Sequence, residues 1–333
     1  MKKPLAKLGV GPMSSEIIEA VFRYSNNQKV PLMLIPSKSQ IDAYGGYVNN
    51  WTTRQFLDFV FLMRRNYPQA IVYICRDHCG PGFSSDNLAD VQKTIADDID
   101  NGFDLIHVDF SKFKGSYEDI LQESKKTIIS IKGRNSKVLI EVGTDENTGA
   151  FLNDLERIEK EMKFFTSVAE IEFFVCQTGS LVKEINQRGS FNAGFLKQVK
   201  EKANLYNLCL KEHNADYLDS DAIKQRNGLI DAVNVAPQAG VLQTQLTLQK
   251  CLFYGFDFTD FLETAFKSQK WLKWLDINGP ANKFLCSVVA GHYVFASDDY
   301  KKLFEKISQK ENFKETIINY FINYLNYYVE NLN

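Results

Sequence analysis

The 333-residue chain has no continuous run of about 18 apolar residues, so the sequence predicts no transmembrane helix. Residues 1–7 are basic but lack the apolar core of a secretory signal. The six cysteines are scattered, without the spacing of a zinc finger or the density of a disulfide scaffold. A formal net charge of −2 gives no basic footprint for nucleic acid or an anionic membrane. We therefore expect a cytoplasmic globular protein that binds neither.

Short apolar runs alternate with longer amphipathic segments through most of the chain. The runs are rich in β-branched or bulky residues, as strands covered on both faces should be, and they lie at 9–13, 32–36, 70–75, 105–110, 137–143, 171–176, 207–213 and 232–237. Helical spacing follows Ser14-Ser15-Glu16, with a serine as N-cap, and in the same way follows the start of Thr52-Thr53-Arg54-Gln55. It recurs at 86–99, 117–131, 152–165, 195–206, 219–230 and 243–254.

Eight strand–helix units in about 250 residues predict an α/β fold of the (β/α)₈ TIM-barrel type. A doubly wound open sheet shows the same alternation, but no G-x-G-x-x-G follows the first strand. Residues 1–257 are predicted to form the barrel. The alternation of strands and helices then ends. Over 258–333, apolar residues three or four apart predict a C-terminal helical extension, packed on the barrel or at an oligomer interface. We expect a homo-oligomer.

Polar residues recur at the predicted carboxyl ends of the strands, where barrel enzymes carry their chemistry. Three of the four histidines lie there, at His78, His107 and His213. If these strand faces point inward, five side chains approach a single point above the barrel axis: His78, Asp109, Glu141, Gln177 and His213. Imidazole and carboxylate ligands suit zinc or another first-row ion, although any one of these residues alone is more often structural. We interpret the fourth histidine, His292, as structural, and Arg76 remains open between a phosphate ligand and an ion pair at the barrel rim.

Five segments carry a resemblance to a known family: Ser39-Gln40-Ile41-Asp42-Ala43-Tyr44-Gly45-Gly46-Tyr47, Arg76-Asp77-His78-Cys79-Gly80-Pro81, Gly102-Phe103-Asp104-Leu105-Ile106-His107-Val108-Asp109, Val142-Gly143-Thr144-Asp145 and Glu212-His213-Asn214-Ala215-Asp216-Tyr217. In their order and spacing, over about residues 10–250, the chain resembles the tagatose-bisphosphate aldolase accessory-subunit family and related metal-dependent ketose 4-epimerases. The D-H-x-G-P element is also similar to a strand end of class II aldolases. Two departures are Asp145, where the family has glutamate, and Gln177, where class II aldolases have a second histidine.

The resemblance implies a role for each matching residue. His78, Glu141, Gln177 and His213 would hold a divalent metal, zinc first, with manganese, cobalt and nickel as alternatives. Asp77 would be the catalytic acid or base at the C4 hydroxyl, Asp109 would assist it, and Asn234 would hold an enediolate. Contacts to the substrate or its phosphate would come from Ser37, Gln40, Gly45, Gly46, His107 and Asp145.

The implied chemistry is cleavage of the C3–C4 bond of a ketose or ketose phosphate. A divalent ion stabilises the resulting enediolate charge as a Lewis acid, and a carboxylate takes the C4 hydroxyl proton. Release of the aldehyde makes an aldolase, whereas rotation and re-addition make a C4 epimerase. The alternatives are a non-catalytic subunit that stabilises a partner aldolase, or a barrel isomerase without carbon–carbon cleavage. A Schiff-base route has one strong positional candidate, Lys211.

Overall fold

In the computed structural model, which describes residues 2–83, 87–143, 154–276 and 281–332, eight parallel strands close into a barrel. Their order around the barrel is β1-β10-β9-β6-β5-β4-β3-β2. The strands are β1 Leu8–Val10, β2 Leu32–Leu34, β3 Val72–Cys79, β4 Leu105–Asp109, β5 Leu139–Gly143, β6 Phe173–Val175, β9 Cys209–Glu212 and β10 Ala232–Val235. All eight predicted strands and the barrel are confirmed. A small antiparallel hairpin, β7 Val182–Lys183 and β8 Asn186–Gln187, follows β6.

Helices alternate with the barrel strands and then continue beyond the last strand. They are α1 Ser15–Gln28, α2 Thr53–Asn66, α3 Leu88–Asn101, α4 Tyr117–Arg134, α5 Leu155–Val168, α6 Ala193–Leu205, α7 Ser220–Lys224, α8 Pro237–Tyr254, α9 Thr259–Lys267, α10 Lys283–Ala290, α11 Asp298–Ser308 and α12 Phe313–Asn331. Short 3₁₀ turns at Lys270–Lys273 and Gly291–Val294 follow α9 and α10. Of the residues described, none belongs to a helix long and apolar enough to cross a bilayer.

The first two helices begin within the segments that the sequence indicates. The Ser14 hydroxyl accepts a hydrogen bond from the Ile17 N–H at the start of α1. At the start of α2, Thr52 and Gln55 form a capping box, in which each side chain accepts from the other residue's N–H. These bonds satisfy N–H groups that have no partner within the helix, so both starts are fixed locally.

Three of the differences from the predicted element boundaries have a clear physical or structural description. The helix expected over 219–230 is only α7, because Arg226 turns its guanidinium inward to Glu212 and Gly228 adopts a left-handed φ of 80°. Helix α8 begins at Pro237, earlier than expected, since a proline fits the first helical turn, where no N–H is needed. Strand β3 continues past residue 75 to Cys79.

The barrel interior is apolar at its N-terminal end and polar at its C-terminal end. A separate buried cluster fills the lower interior, with Met33, Ile35, Cys75, Leu105, Phe173, Cys209 and Ala232. Two residues further along the same strands, the inward positions hold Asp77, His107 and Lys211, because side chains on one face repeat every second residue. The packed apolar layers therefore form a floor beneath a polar site.

The C-terminal helices pack on the barrel layer. Helix α12 buries Ile318, Phe321, Tyr324, Leu325 and Tyr328 in the same core as the barrel helices. The Tyr328 hydroxyl donates to the carbonyl of Ala215 at 2.8 Å. Helices α8 to α11 surround a second core that includes Phe261 and Leu303. A division into two domains at residue 257, and an oligomer interface, stay predictions.

Candidate metal centre

A cavity of about 710 Å³ opens at the carboxyl ends of the barrel strands. Pockets of about 300–1,000 Å³ are typical of sites for small molecules. Its floor includes five of the predicted site residues, Asp77, His78, His107, Asp109 and His213. One wall comes from beyond the barrel, with Gln269, Lys270, Lys273, Trp274, His292 and Tyr293.

A bulge in β3 brings two consecutive residues, Asp77 and His78, into the same site. The register between β3 and β4 shifts between Arg76 and Cys79, and His78 has a left-handed φ of 47°. On a regular strand, neighbouring side chains point to opposite faces, so the bulge is what directs both inward. Gly80 permits it, because a Cβ there would lie 1.4 Å from the Asp109 carbonyl oxygen.

Three histidines and one aspartate converge on the cavity floor. Donor atoms of Asp77, His78, His107 and His213 all lie within 4.8 Å of one another. Nε2 of His78 is 3.3 Å from Nδ1 of His213. Two nitrogens that each ligate zinc at about 2.0–2.1 Å in a tetrahedron are separated by about 3.3 Å. The spacing of this pair therefore fits two ligands of one ion.

The other ring nitrogens of His78 and His213 are bound by carboxylates. Nδ1 of His78 lies 2.7 Å from Asp109, and Nε2 of His213 lies 2.8 Å from Glu141. Histidines that bind metals usually donate their second N–H in this way, which fixes the ring and its tautomer. Asp109 and Glu141 thus lie behind the histidines and orient Nε2 of His78 and Nδ1 of His213 toward each other.

Lys211 extends the array below Glu141. Its ammonium lies 2.6 Å from Glu141 Oε2, and both side chains are almost completely buried. The ammonium also lies over the ring of Phe173. Since Lys211 balances the Glu141 carboxylate in the barrel interior and does not line the cavity, it does not present an amine to a substrate.

The charges in this site favour ionised carboxylates. Burial opposes ionisation of Asp77, but His78, His213 and His107 hold the pKa of this carboxyl well below its usual range. Burial likewise opposes ionisation of Glu141, whose pKa Lys211 and the histidines lower to about 2. Burial lowers the pKa of His213, whereas Asp77 and Asp109 overcome burial and raise that of His78. Ionised acids and a neutral His213 are the forms that bind cations.

Two buried polar atoms at the centre lack a hydrogen-bond partner within the described ranges, Nε2 of His107 and Oδ1 of Asn234. Nδ2 of Asn234 lies 3.5 Å from Asp77. Gly9, opposite Asn234 in the sheet, makes room for it, because a Cβ there would lie 2.3 Å from Oδ1 of Asn234. Buried unpaired atoms are costly and point to a bound partner.

The remaining predicted site residues are only partly brought together. Ser37, Gln40 and Gln177 line the cavity. Gly45 and Gly46 do not, and their N–H groups donate to the carbonyls of Asp42 and Trp51. Gly46 instead allows a tight turn, since a Cβ there would lie 2.0 Å from the Gln40 carbonyl oxygen. Asp145 lies outside the described residues.

Two buried ion pairs near the site belong to the scaffold. Arg76 donates two bonds of 2.6 Å to Asp98 and others to the carbonyls of Pro36 and Ile41, so it is turned away from any ligand. On the other side of the barrel, Arg226 holds Glu212, which accepts bonds from Thr178 and Ser180 in the loop after β6. These pairs fix loops at the barrel rim.

Sequence reasoning missed the cavity wall formed by the C-terminal segment. The helical spacing of this segment predicts only packing. The one available signal was His292, which we interpreted as structural because it does not lie at a strand end. The structure places this side chain in the cavity wall and not only in a helical core.

No family model matches the chain. It is similar to a probable tagatose 6 phosphate kinase from Sinorhizobium meliloti 1021, with 16% identity, 96% of this chain and 91% of that chain covered, and a TM-score of 0.76. It is also similar to the fructose-bisphosphate aldolase of Campylobacter jejuni (14% identity, 99% and 90% covered, TM-score 0.59). The YdjI aldolase of Escherichia coli K12 matches with 14% identity, 92% and 94% covered, and a TM-score of 0.52. At these identities the likeness shows a shared barrel fold.

Proposed function

We propose that this protein is a divalent-metal-dependent enzyme of class II aldolase type, which breaks and re-forms the C3–C4 bond of a ketose or ketose phosphate. The observation that carries the proposal is the 3.3 Å approach of His78 Nε2 and His213 Nδ1 beside Asp77, with each ring oriented by a carboxylate. Two proteins of similar fold are named aldolases. The same site would serve an aldolase or a C4 epimerase.

The donor set fits a first-row divalent cation. His78 and His213 would hold the ion with His107, and imidazole ligands suit zinc, with manganese, cobalt and nickel as alternatives. When bound, such an ion supplies Lewis-acid stabilisation of negative charge on the oxygens of the substrate. Glu141, which the resemblance implies as a ligand, would instead support His213 from behind.

The chain's own residues would handle the proton. Asp77 faces the cavity as a carboxylate and can accept the C4 hydroxyl proton as the C3–C4 bond breaks, then return it when the bond forms again. Asn234 does not line the cavity, and its Nδ2 donates to Asp77 Oδ1 at 3.5 Å, so this side chain would help to position the Asp77 carboxylate. The pairing of Lys211 with Glu141 argues against a Schiff base and favours the metal route.

The test is a screen of ketoses and ketose phosphates with protein stripped by EDTA and then reloaded with zinc, manganese, cobalt or nickel. Aldehyde release would indicate an aldolase, and a ketose inverted at C4 would indicate an epimerase. We expect Asp77→Asn to lower kcat by about 10²–10⁴-fold, the usual contribution of a general acid or base. His213→Asn should lose both the metal and the activity.

Asp298→Asn is the matched control, because this aspartate is exposed on α11, away from the cavity, and should keep full activity. Metal-loaded protein that turns over no ketose in the panel would contradict the proposal. So would activity that survives both EDTA and His213→Asn.

A further inference from the structure

The cavity wall contributed by the C-terminal segment is built from two 3₁₀ turns. Trp274, after the first turn, donates from Nε1 to the Tyr293 hydroxyl in the second at 3.2 Å. The Tyr293 ring lies 4.7 Å from that of Tyr47, in a loop of the barrel. The wall is therefore joined to the barrel by aromatic contacts, which hold its polar side chains in fixed places.

His292 is an unpaired polar group in this wall. Its side chain is buried and lines the cavity, and neither ring nitrogen has a hydrogen-bond partner among the residues that the structure describes. Gly240 fits closely against it, since a Cβ there would lie 2.5 Å from the His292 side chain. Burial and the nearby Lys273 ammonium lower the pKa of His292 to about 3. A neutral imidazole with one free N–H thus borders the cavity.

Lys273 lies on the same wall at the mouth of the cavity. Its ammonium lies over the Trp274 ring and forms no ion pair with a carboxylate of the described residues. Lys270 and Lys112 also line the cavity. Burial, and repulsion from Lys112 and Lys270, lower the pKa of Lys273, although the Asp77 carboxylate opposes this shift. The Lys273 ammonium, which neighbouring cations repel, is stabilised when an anion binds beside it.

We propose that Lys273 and His292 form an oxyanion-binding subsite, which holds a phosphate or carboxylate group of the substrate against this wall of the cavity. This inference rests on the proposed function for the identity of the substrate. A cavity of about 710 Å³ holds a phosphorylated sugar that reaches from the histidine cluster to this wall. Lys273 supplies charge, and His292 supplies an N–H that has no partner among the described residues.

Binding is tested first, without catalysis. Inorganic phosphate is titrated calorimetrically into metal-free full-length protein, and acetate is titrated in parallel to separate phosphate from carboxylate recognition. Lys273→Gln and His292→Asn should each weaken binding by about tenfold or more, the size of a lost bond to a charged group. The control is Lys302→Gln on α11, an exposed lysine away from the cavity, and it should bind as the wild type does.

Turnover is tested second. In Lys273→Gln, kcat/KM for an anionic ketose should fall about tenfold or more, with kcat/KM for the neutral ketose unchanged. Wild type that binds neither anion, or Lys273→Gln that binds phosphate as tightly as wild type, would overturn the subsite. Phosphate binding that depends on Lys273, without turnover of any ketose, would support the subsite and refute the proposed function. Turnover of a ketose without phosphate binding that depends on Lys273 would support the proposed function and refute the subsite. If His292→Asn does not fold, the phosphate affinity of Lys273→Gln still tests the subsite.

Discussion

The buried pair of Arg76 and Asp98 allows a test of whether Arg76 serves the substrate or the fold. Both side chains are completely buried, and two bonds of 2.6 Å join them. Arg76→Met would leave the Asp98 carboxylate without its cation, which costs about 3–5 kcal/mol for a buried pair. We expect the free energy of unfolding, measured by urea titration followed by circular dichroism, to fall by that amount at pH 7.

This deficit should depend on pH with a definite sign. Burial raises the pKa of Asp98 even though Arg76 opposes it, and without Arg76 the rise is larger. A carboxyl group whose pKa is higher in the folded state favours folding at low pH, and this stabilisation is lost as the pH rises through the folded-state pKa. The deficit of Arg76→Met relative to wild type should therefore be small near pH 4 and grow toward pH 8.

The double variant Arg76→Met/Asp98→Leu is the control, because it removes both charges and should recover much of the lost stability. A single variant that loses less than about 1 kcal/mol at every pH would refute the account of a structural pair. So would a variant of unchanged stability with a raised KM for a phosphorylated ketose.

Three further predictions concern the site and its support. Glu141→Gln should weaken metal affinity by about 10–100-fold in calorimetric titration, as losses behind a ligand histidine do, and unchanged affinity would show that Glu141 does not orient His213. Gly9→Ala should lower the free energy of unfolding in urea by about 1–3 kcal/mol, because the new Cβ would clash with Asn234. The double variant Gly9→Ala/Asn234→Ala should recover most of this loss, and a double variant whose losses simply add would show that the two side chains do not clash. Burial raises the pKa of Asp216 to about 7, so the folded protein retains a proton that the unfolded chain releases. From pH 4 to pH 8 the wild type should therefore lose up to about 4 kcal/mol relative to Asp216→Asn, and a gain instead would show a stabilising carboxylate.

The sequence was sufficient to predict the barrel, because strands buried on both faces have a continuous apolar signature. Because side chains on one face of a strand repeat every second residue, the sequence also indicated that His107 and Asp109 share one face of β4. It could not predict the β3 bulge, since the left-handed turn at His78 depends on close packing of Gly80 against β4.

Residue identity also could not separate a carboxylate that faces the cavity from one that supports a histidine. Asp109 and Glu141 have the same chemistry as Asp77, and only the distances to His78 and His213 show that they lie behind the rings. The wall that carries His292 was equally hidden, because it depends on how the C-terminal turns return over the barrel mouth.

The most direct test of the central claim is anomalous diffraction from crystals of the protein soaked in zinc. Convergence of the histidines predicts a zinc peak about 2.0–2.2 Å from both His78 Nε2 and His213 Nδ1. A fully occupied zinc ion elsewhere, with no peak within about 3 Å of these two nitrogens, would contradict it.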